Sequence, residues 1–188
     1  IACGTATSQA LDVVKEIYRV PIIGIIEPTV DYIKENIDYK NIGIIATRGT
    51  IKSNAWEKSI KKKIKNIKIY NKECPLLAPM AEEGWTDNEI AKLTIKEYVK
   101  DFPKLDALVL GCTHYPLFEK LIKENIKDTY IINTGKIIAS YLEKNLERAE
   151  NIKNKSDEIY LTDTECNFLV VADKILNENI KINKVEVK

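Results

Sequence analysis

The sequence is poor in the residues that build metal clusters, disulfide scaffolds and membrane spans. It holds one histidine, one methionine and three phenylalanines in 188 residues. With a single imidazole, a structural zinc centre is a poor fit, because such sites need four ligands, usually in paired local spacings. The four cysteines, Cys3, Cys74, Cys112 and Cys166, are widely scattered. A small secreted domain would carry a denser framework, so they read as reduced thiols of a cytosolic protein. No apolar stretch approaches the roughly 20 residues a bilayer core requires, and no signal peptide is visible; no membrane partner is expected. Nor does one sign of charge dominate: Lys and Arg number 29 against 28 Asp and Glu. That balance gives no electrostatic reason to bind nucleic acid, and the lysine-rich run at residues 61–68 reads as a solvated helix end.

What is present is alternation. Residues 8–19 place Leu11, Val14, Ile17 and Tyr18 on one helical face, and residues 20–26 form a short buried-strand pattern. A helix with Pro28 near its first turn follows. Strands are expected at 41–46, 67–70, 105–111, 129–133 and 157–162, with a terminal strand at 183–188. Helices are expected at 51–64, 86–102 (capped by Thr86 or Asp87), 115–126, 136–150 and 166–180; residues 71–85 read as a loop. Strand–helix alternation of this kind argues for an α/β fold built around parallel sheet. In open α/β sheets, sites form beyond the carboxyl ends of strands. Cys3, the Thr47 to Thr50 stretch and the Cys112 to His114 stretch all fall at such junctions.

Cys74, beside a proline, and Cys166, opening an apolar helix face, read as packed small hydrophobes. Cys3 and Cys112 differ, since each stands at a strand-to-helix turn where free N–H groups favour a thiolate. A Cys–His hydrolase would use Cys112 and His114, but it leaves the second thiol without a task. Two thiols in matched settings suit the inversion of a stereocentre through a planar carbanion. That reaction needs a base on one face and an acid on the other, with the roles exchanged in reverse.

The segments ACGTATS, GIIEP, TRGTIKS, ECPLLAPMAEEGW and LGCTHYP, in that order, resemble the successive motifs of glutamate racemase. The likeness runs over essentially the whole chain, through the late IINTG and YLTDT. Thr-His after the second cysteine, where aspartate racemases carry Thr-Glu, is the most specific part. The resemblance implies cofactor-independent interconversion of L- and D-glutamate, supplying the D-isomer for peptidoglycan. It assigns α-proton transfer to Cys3 on the D-glutamate side and to Cys112 on the L-glutamate side. His114 and Glu82 would assist Cys112. Thr5 and Thr113 match residues that bind the substrate's amino and carboxylate groups, and Thr47 and Thr50 a further pair nearby. Gly4 stands where many relatives carry a substrate-binding asparagine, and it is expected to offer its N–H and an open space. Two similar α/β domains are implied, residues 1–27 with 134–188 and residues 28–133, facing each other across the site, in a cytoplasmic homodimer. Relatives begin with an Asp-Ser-Gly turn that is missing here. An upstream segment of about two strand–helix–strand units is therefore expected, and residues 1–188 alone are expected to be inactive. The competing readings are a related two-cysteine aspartate or amino-acid racemase, a decarboxylase, and an inactive binding or regulatory remnant.

Overall fold

The computed structural model describes residues 1–36, 38–146, 158–163, 172 and 181–186. Its centre is a four-stranded parallel sheet of β1 (Asn41–Ala46), β2 (Lys68–Glu73), β3 (Ala107–Leu110) and β4 (Tyr130–Asn133). The strand order is β2-β1-β3-β4. Register is set by apolar alternation. Ile42, Ile44, Ala107, Val109 and Ile132 face one side of the sheet, and Ile45, Leu108, Leu110 and Ile131 face the other. Both faces are covered, so β1 and β3 read as unbroken Ile/Val/Leu runs.

The helices divide between those faces. On the first, α2 (Ile26–Asn36) and α4 (Ala55–Lys63) contribute Val30, Ile33, Trp56 and Ile60, with Ile137 and Ile138 of α8 (Thr134–Asn145) packed alongside. On the second lie α5 (Leu77–Glu82), α6 (Glu89–Val99) and α7 (Glu119–Asn125), which bury Leu77, Ile95, Val99, Leu121 and Ile122. Each such side chain, fully buried, contributes about 1.5–3 kcal/mol relative to exposure. Outside the sheet, α1 (Gly4–Ile17) and the five-residue α3 (Arg48–Lys52) pack on each other.

This topology prepares a site. From β1 the chain crosses to β2 over the first face, then returns to β3 over the second face, on the other side of β1. Connections leaving β1 and β3 therefore diverge, which makes the region beyond their carboxyl ends the place where ligands of open α/β sheets bind.

Several expectations need correction. Residues 20–26 form no strand. An apolar run specifies burial rather than a ladder, and Ile25 and Ile26 are buried against Val30 and Ile33, while Ile23 receives the Ile1 amine at 2.5 Å. The helix expected at 51–64 is broken: Asn54 takes a left-handed φ of 56° between α3 and α4. The loop expected at 71–85 contains α5. Asn88, not Thr86 or Asp87, caps α6 by accepting the Ala91 N–H at 2.8 Å. The terminal strand lies earlier than expected: β6 (Lys181–Lys184) pairs in parallel with β5 (Glu158–Leu161). Of the helix expected at 166–180 only residue 172 is described, so Cys166 lies outside the described residues.

Candidate active site

Cys3 is the N-cap of α1, with extended backbone (φ −78°, ψ 125°), and its Sγ accepts the Ala6 N–H at 3.5 Å. A thiol is a weak cap beside the usual Ser, Thr, Asp or Asn. The helix start is secured instead by Thr7, whose hydroxyl donates to the Ile1 carbonyl at 3.1 Å and accepts the Ile25 N–H at 3.4 Å. The Cys3 thiol is thus left exposed and available.

In the first turn of α1, Thr5 meets the start of α3. The Thr5 hydroxyl lies 2.7 Å from that of Thr47 and 3.1 Å from that of Thr50, which are themselves 3.0 Å apart. Thr47 also caps α3, accepting the Thr50 N–H at 3.4 Å; capping and a place beside substrate hold together. Three hydroxyls closed in a ring can spend their protons on one another and keep lone pairs free. Such a ring is built to accept from an ammonium group.

Cys112 stands two residues beyond the end of β3 and is buried. Its loop is anchored beneath by Tyr115, whose buried hydroxyl donates to the Cys74 carbonyl at 2.7 Å. Behind the thiol runs a relay: His114 Nδ1 is 3.7 Å from Cys112 Sγ, and His114 Nε2 is 3.2 Å from Glu82 Oε1 at the end of α5. Burial pushes the Cys112 thiol up; the His114 N–H and the Thr113 hydroxyl oppose this, and the nearby charges of Cys3 and Glu82 add to it. At neutral pH Cys112 therefore rests as a thiol, with a second thiol and a carboxylate in electrostatic reach. Cys74, wholly enclosed, is pushed up to about 12 by burial and is a packing residue.

The structure therefore brings together Cys3 with Thr5, Thr47 and Thr50 on one wall, and Cys112 with Thr113, His114 and Glu82 on the other. Gly4 differs from expectation. A Cβ on Gly4 would fall 2.3 Å from the carbonyl oxygen of Gly111, so main chain fills the space expected to be open. Two contributors were not singled out from the sequence. Gly111 was hidden among apolar strand residues, with only its place immediately before Cys112 as a signal. Tyr115 looked like helix core, and nothing local reveals that its hydroxyl reaches back 41 residues. Among the described residues, no group of three or more His, Cys, Asp or Glu side chains is placed to hold a metal ion. No helix among them is long and apolar enough to cross a membrane.

A doubly covered parallel sheet, with thiol, imidazole, carboxylate and hydroxyls gathered past its strand ends, defines an α/β enzyme equipped for proton transfer. Residues 1–142 match the Asp/Glu/Hydantoin racemase family, and the chain belongs to it: it is an isomerase of the racemase type. It is 41% identical to a glutamate racemase of Sulfurihydrogenibium sp. (strain YO3AOP1), over 99% of this chain and 71% of that protein. A Bacillus anthracis glutamate racemase structure superposes with a TM-score of 0.88 at 29% identity, covering 98% of this chain and 72% of that one. A Francisella tularensis glutamate racemase, solved in complex with D-glutamate, gives 0.83 at 33% identity, covering 98% and 71%.

Proposed function

We propose that the protein interconverts L- and D-glutamate by a two-thiol mechanism without a cofactor, with Cys3 and Cys112 acting on opposite faces of the substrate. A thiolate on one face takes the α-proton, the electron pair is delocalised into the adjacent carboxylate, and the opposite thiol protonates the other face. Racemisation leaves the single shared proton on the other sulfur, so each turnover in one direction prepares the enzyme for the reverse. Cys3 serves the D-glutamate side and Cys112 the L-glutamate side. His114, backed by Glu82, holds and moves the proton at Cys112. The hydroxyls of Thr5, Thr47 and Thr50 receive the substrate ammonium. Free N–H groups at the start of α1 and in the turn after Cys112, with the Thr113 hydroxyl and the Gly4 N–H, face its carboxylates.

The observation that carries this reading is the pairing of an exposed thiol capping α1 with a second thiol that feels its charge and has its own imidazole–carboxylate relay. A hydrolase would use only the second. Glutamate is favoured as substrate by the Thr-His that follows Cys112 and by the curated relatives. The wider setting consistent with this chemistry is a cytoplasmic homodimer, where thiols stay reduced, supplying D-glutamate for peptidoglycan. Two α/β units, residues 28–133 and residues 1–27 with 134–188, would then flank the site. Support comes from the four-stranded sheet lying wholly within residues 28–133.

The test is the loss of optical activity from L-glutamate and from D-glutamate, with each aspartate enantiomer as comparison. Turnover of both glutamates, abolished separately by Cys3→Ser and by Cys112→Ser, is expected. Turnover of aspartate in preference to glutamate would refute the substrate assignment, and survival of activity in either serine variant would refute the mechanism.

A further inference from the structure

The chain around Cys112 is backed by an aromatic ring from each face of the sheet. On the second face Tyr115 is buried, and its hydroxyl holds the Cys74 carbonyl at 2.7 Å. On the first face stands Trp56 of α4, also buried. Its indole nitrogen comes within 3.2 Å of the point where a Gly111 side chain would begin. The ring therefore packs directly on the main chain of the residue that precedes Cys112. The room that glycine leaves there is taken by Trp56, with the Ile45 carbonyl oxygen at 3.0 Å and Ala46 Cβ at 3.1 Å from the same point.

Trp56 stands out for a second reason. Among the described residues, its indole nitrogen is one of two buried side-chain nitrogen or oxygen atoms that make no hydrogen bond. A buried indole N–H ordinarily finds an acceptor, and leaving it without one costs stability. The Ile45 carbonyl on the same side already receives the Gly111 N–H at 2.8 Å. What this position uses is thus the bulk of the ring rather than its polar edge.

We infer that Trp56 is a positioning residue for Cys112, acting through Gly111 to hold the turn that carries the second thiol at its working distance from the substrate. The inference rests on the two-thiol reading and adds to it a support that serves one thiol and not the other. Cys3 is placed by different bonds, as the cap of α1 and through the Thr7 hydroxyl on Ile1 and Ile25. When a large buried ring is cut back to a methyl group, its surroundings relax part-way into the void. Gly111 has no side chain to resist, and it lies just past the end of β3. Its main chain settles towards α4 and draws Cys112 with it. A shift approaching 1 Å at a reacting atom costs on the order of 10²-fold in rate.

The experiment compares the full-length protein with its Trp56→Ala and Trp56→Phe variants by crystal structure and by kinetics. In Trp56→Ala the main chain of Gly111 and Cys112 is expected to move into the vacated space while Cys3 stays in place. Its kcat/KM should fall by about 10²-fold, equally from either enantiomer. Trp56→Phe keeps a ring under Gly111 and should leave Cys112 in place, with kcat/KM less than about tenfold below wild type. Isotope effects then show which proton transfer has slowed. In the two-thiol scheme, α-deuterated L-glutamate carries its label into the transfer at Cys112, and α-deuterated D-glutamate into the transfer at Cys3. Misplacing Cys112 makes its transfer the more limiting one. The isotope effect on kcat/KM from labelled L-glutamate should therefore rise relative to that from labelled D-glutamate, a change that general damage to the fold would not produce. An unmoved Cys112 in Trp56→Ala overturns the inference, as does a ratio of isotope effects equal to that of the wild type. So does a Trp56→Phe variant as impaired as Trp56→Ala. Should Trp56→Ala fail to fold, Trp56→Leu takes its place and is read in the same way. Activity surviving in Cys3→Ser or Cys112→Ser would remove the two-thiol reading, whereas the structural comparison would still decide whether Trp56 positions Cys112.

Discussion

Cys3 and Cys112, to which the proposed mechanism gives matching tasks, stand in opposite surroundings. Cys3 is exposed at a helix N-terminus, and the partner of its sulfur is a backbone N–H. Cys112 is buried in a loop fastened to the core, and to the His114 backbone N–H it adds side-chain partners: Thr113, and the His114 ring with Glu82 behind it. On the proposed mechanism, the difference teaches that a helix end suffices for a thiol that water also reaches. A buried thiol, held protonated by desolvation, needs a relay to carry its proton in and out.

The comparison breaks most severely if either member is removed. Cys3→Ser and Cys112→Ser should each lower kcat by at least about 10³-fold in both directions, since loss of a general acid or base typically removes 10²–10⁴-fold. Optical rotation of either enantiomer reads this directly, and a variant that lost only one direction would contradict the shared-proton scheme.

Cys74 sharpens the contrast, because it is what a buried thiol becomes without a relay. Burial raises it to about 12, above the roughly 8.5 of an unfolded cysteine. The folded state therefore keeps a proton that the unfolded state releases. The stability this provides is fully present below about pH 8.5 and is lost as the pH climbs towards 12, amounting to about 1–2 kcal/mol by pH 10. Urea melts at pH 8 and pH 10 should show a shallower loss for Cys74→Ala than for the wild type.

On the Cys3 wall, Thr5→Val removes one member of the hydroxyl ring. It should raise KM about tenfold, the roughly 1.4 kcal/mol of one hydrogen bond to a charged group, with kcat changed less. Smallest is the effect of Glu82→Gln. Because the Glu82 charge is one of the influences holding the Cys112 thiol up, its removal moves the alkaline limb of kcat/KM to lower pH, by less than about one unit. Both directions must shift together, because enantiomers are equal in free energy and their kcat/KM values stay equal at every pH.

The fold and the site were legible in the sequence to different degrees. Strands buried on both faces, such as Asn41–Ala46 and Ala107–Leu110, announce themselves as apolar runs. The same signal misled at residues 20–26, because burial of Ile25 and Ile26 comes from helix packing. The break at Asn54 was not visible, since a single left-handed residue leaves the surrounding periodicity almost untouched. In the site, Cys112 and His114 are two residues apart and could be read together. Contacts between distant segments could not: Thr5 with Thr47 spans 42 residues, and Gly4 with Gly111 spans more than half of the chain. Spacing carries no trace of such meetings, which the order β2-β1-β3-β4 creates.

The claim that two thiols work from opposite faces is tested most directly by racemisation in deuterium oxide, with isotope content followed in both enantiomers from the first turnovers. Starting from L-glutamate, the account predicts that every early D-glutamate molecule carries solvent deuterium at Cα while the remaining L-glutamate stays unlabelled, and the mirror result from D-glutamate. Early product that keeps the substrate's own hydrogen, or substrate labelled as fast as product appears, would show a single base serving both faces and would contradict the account.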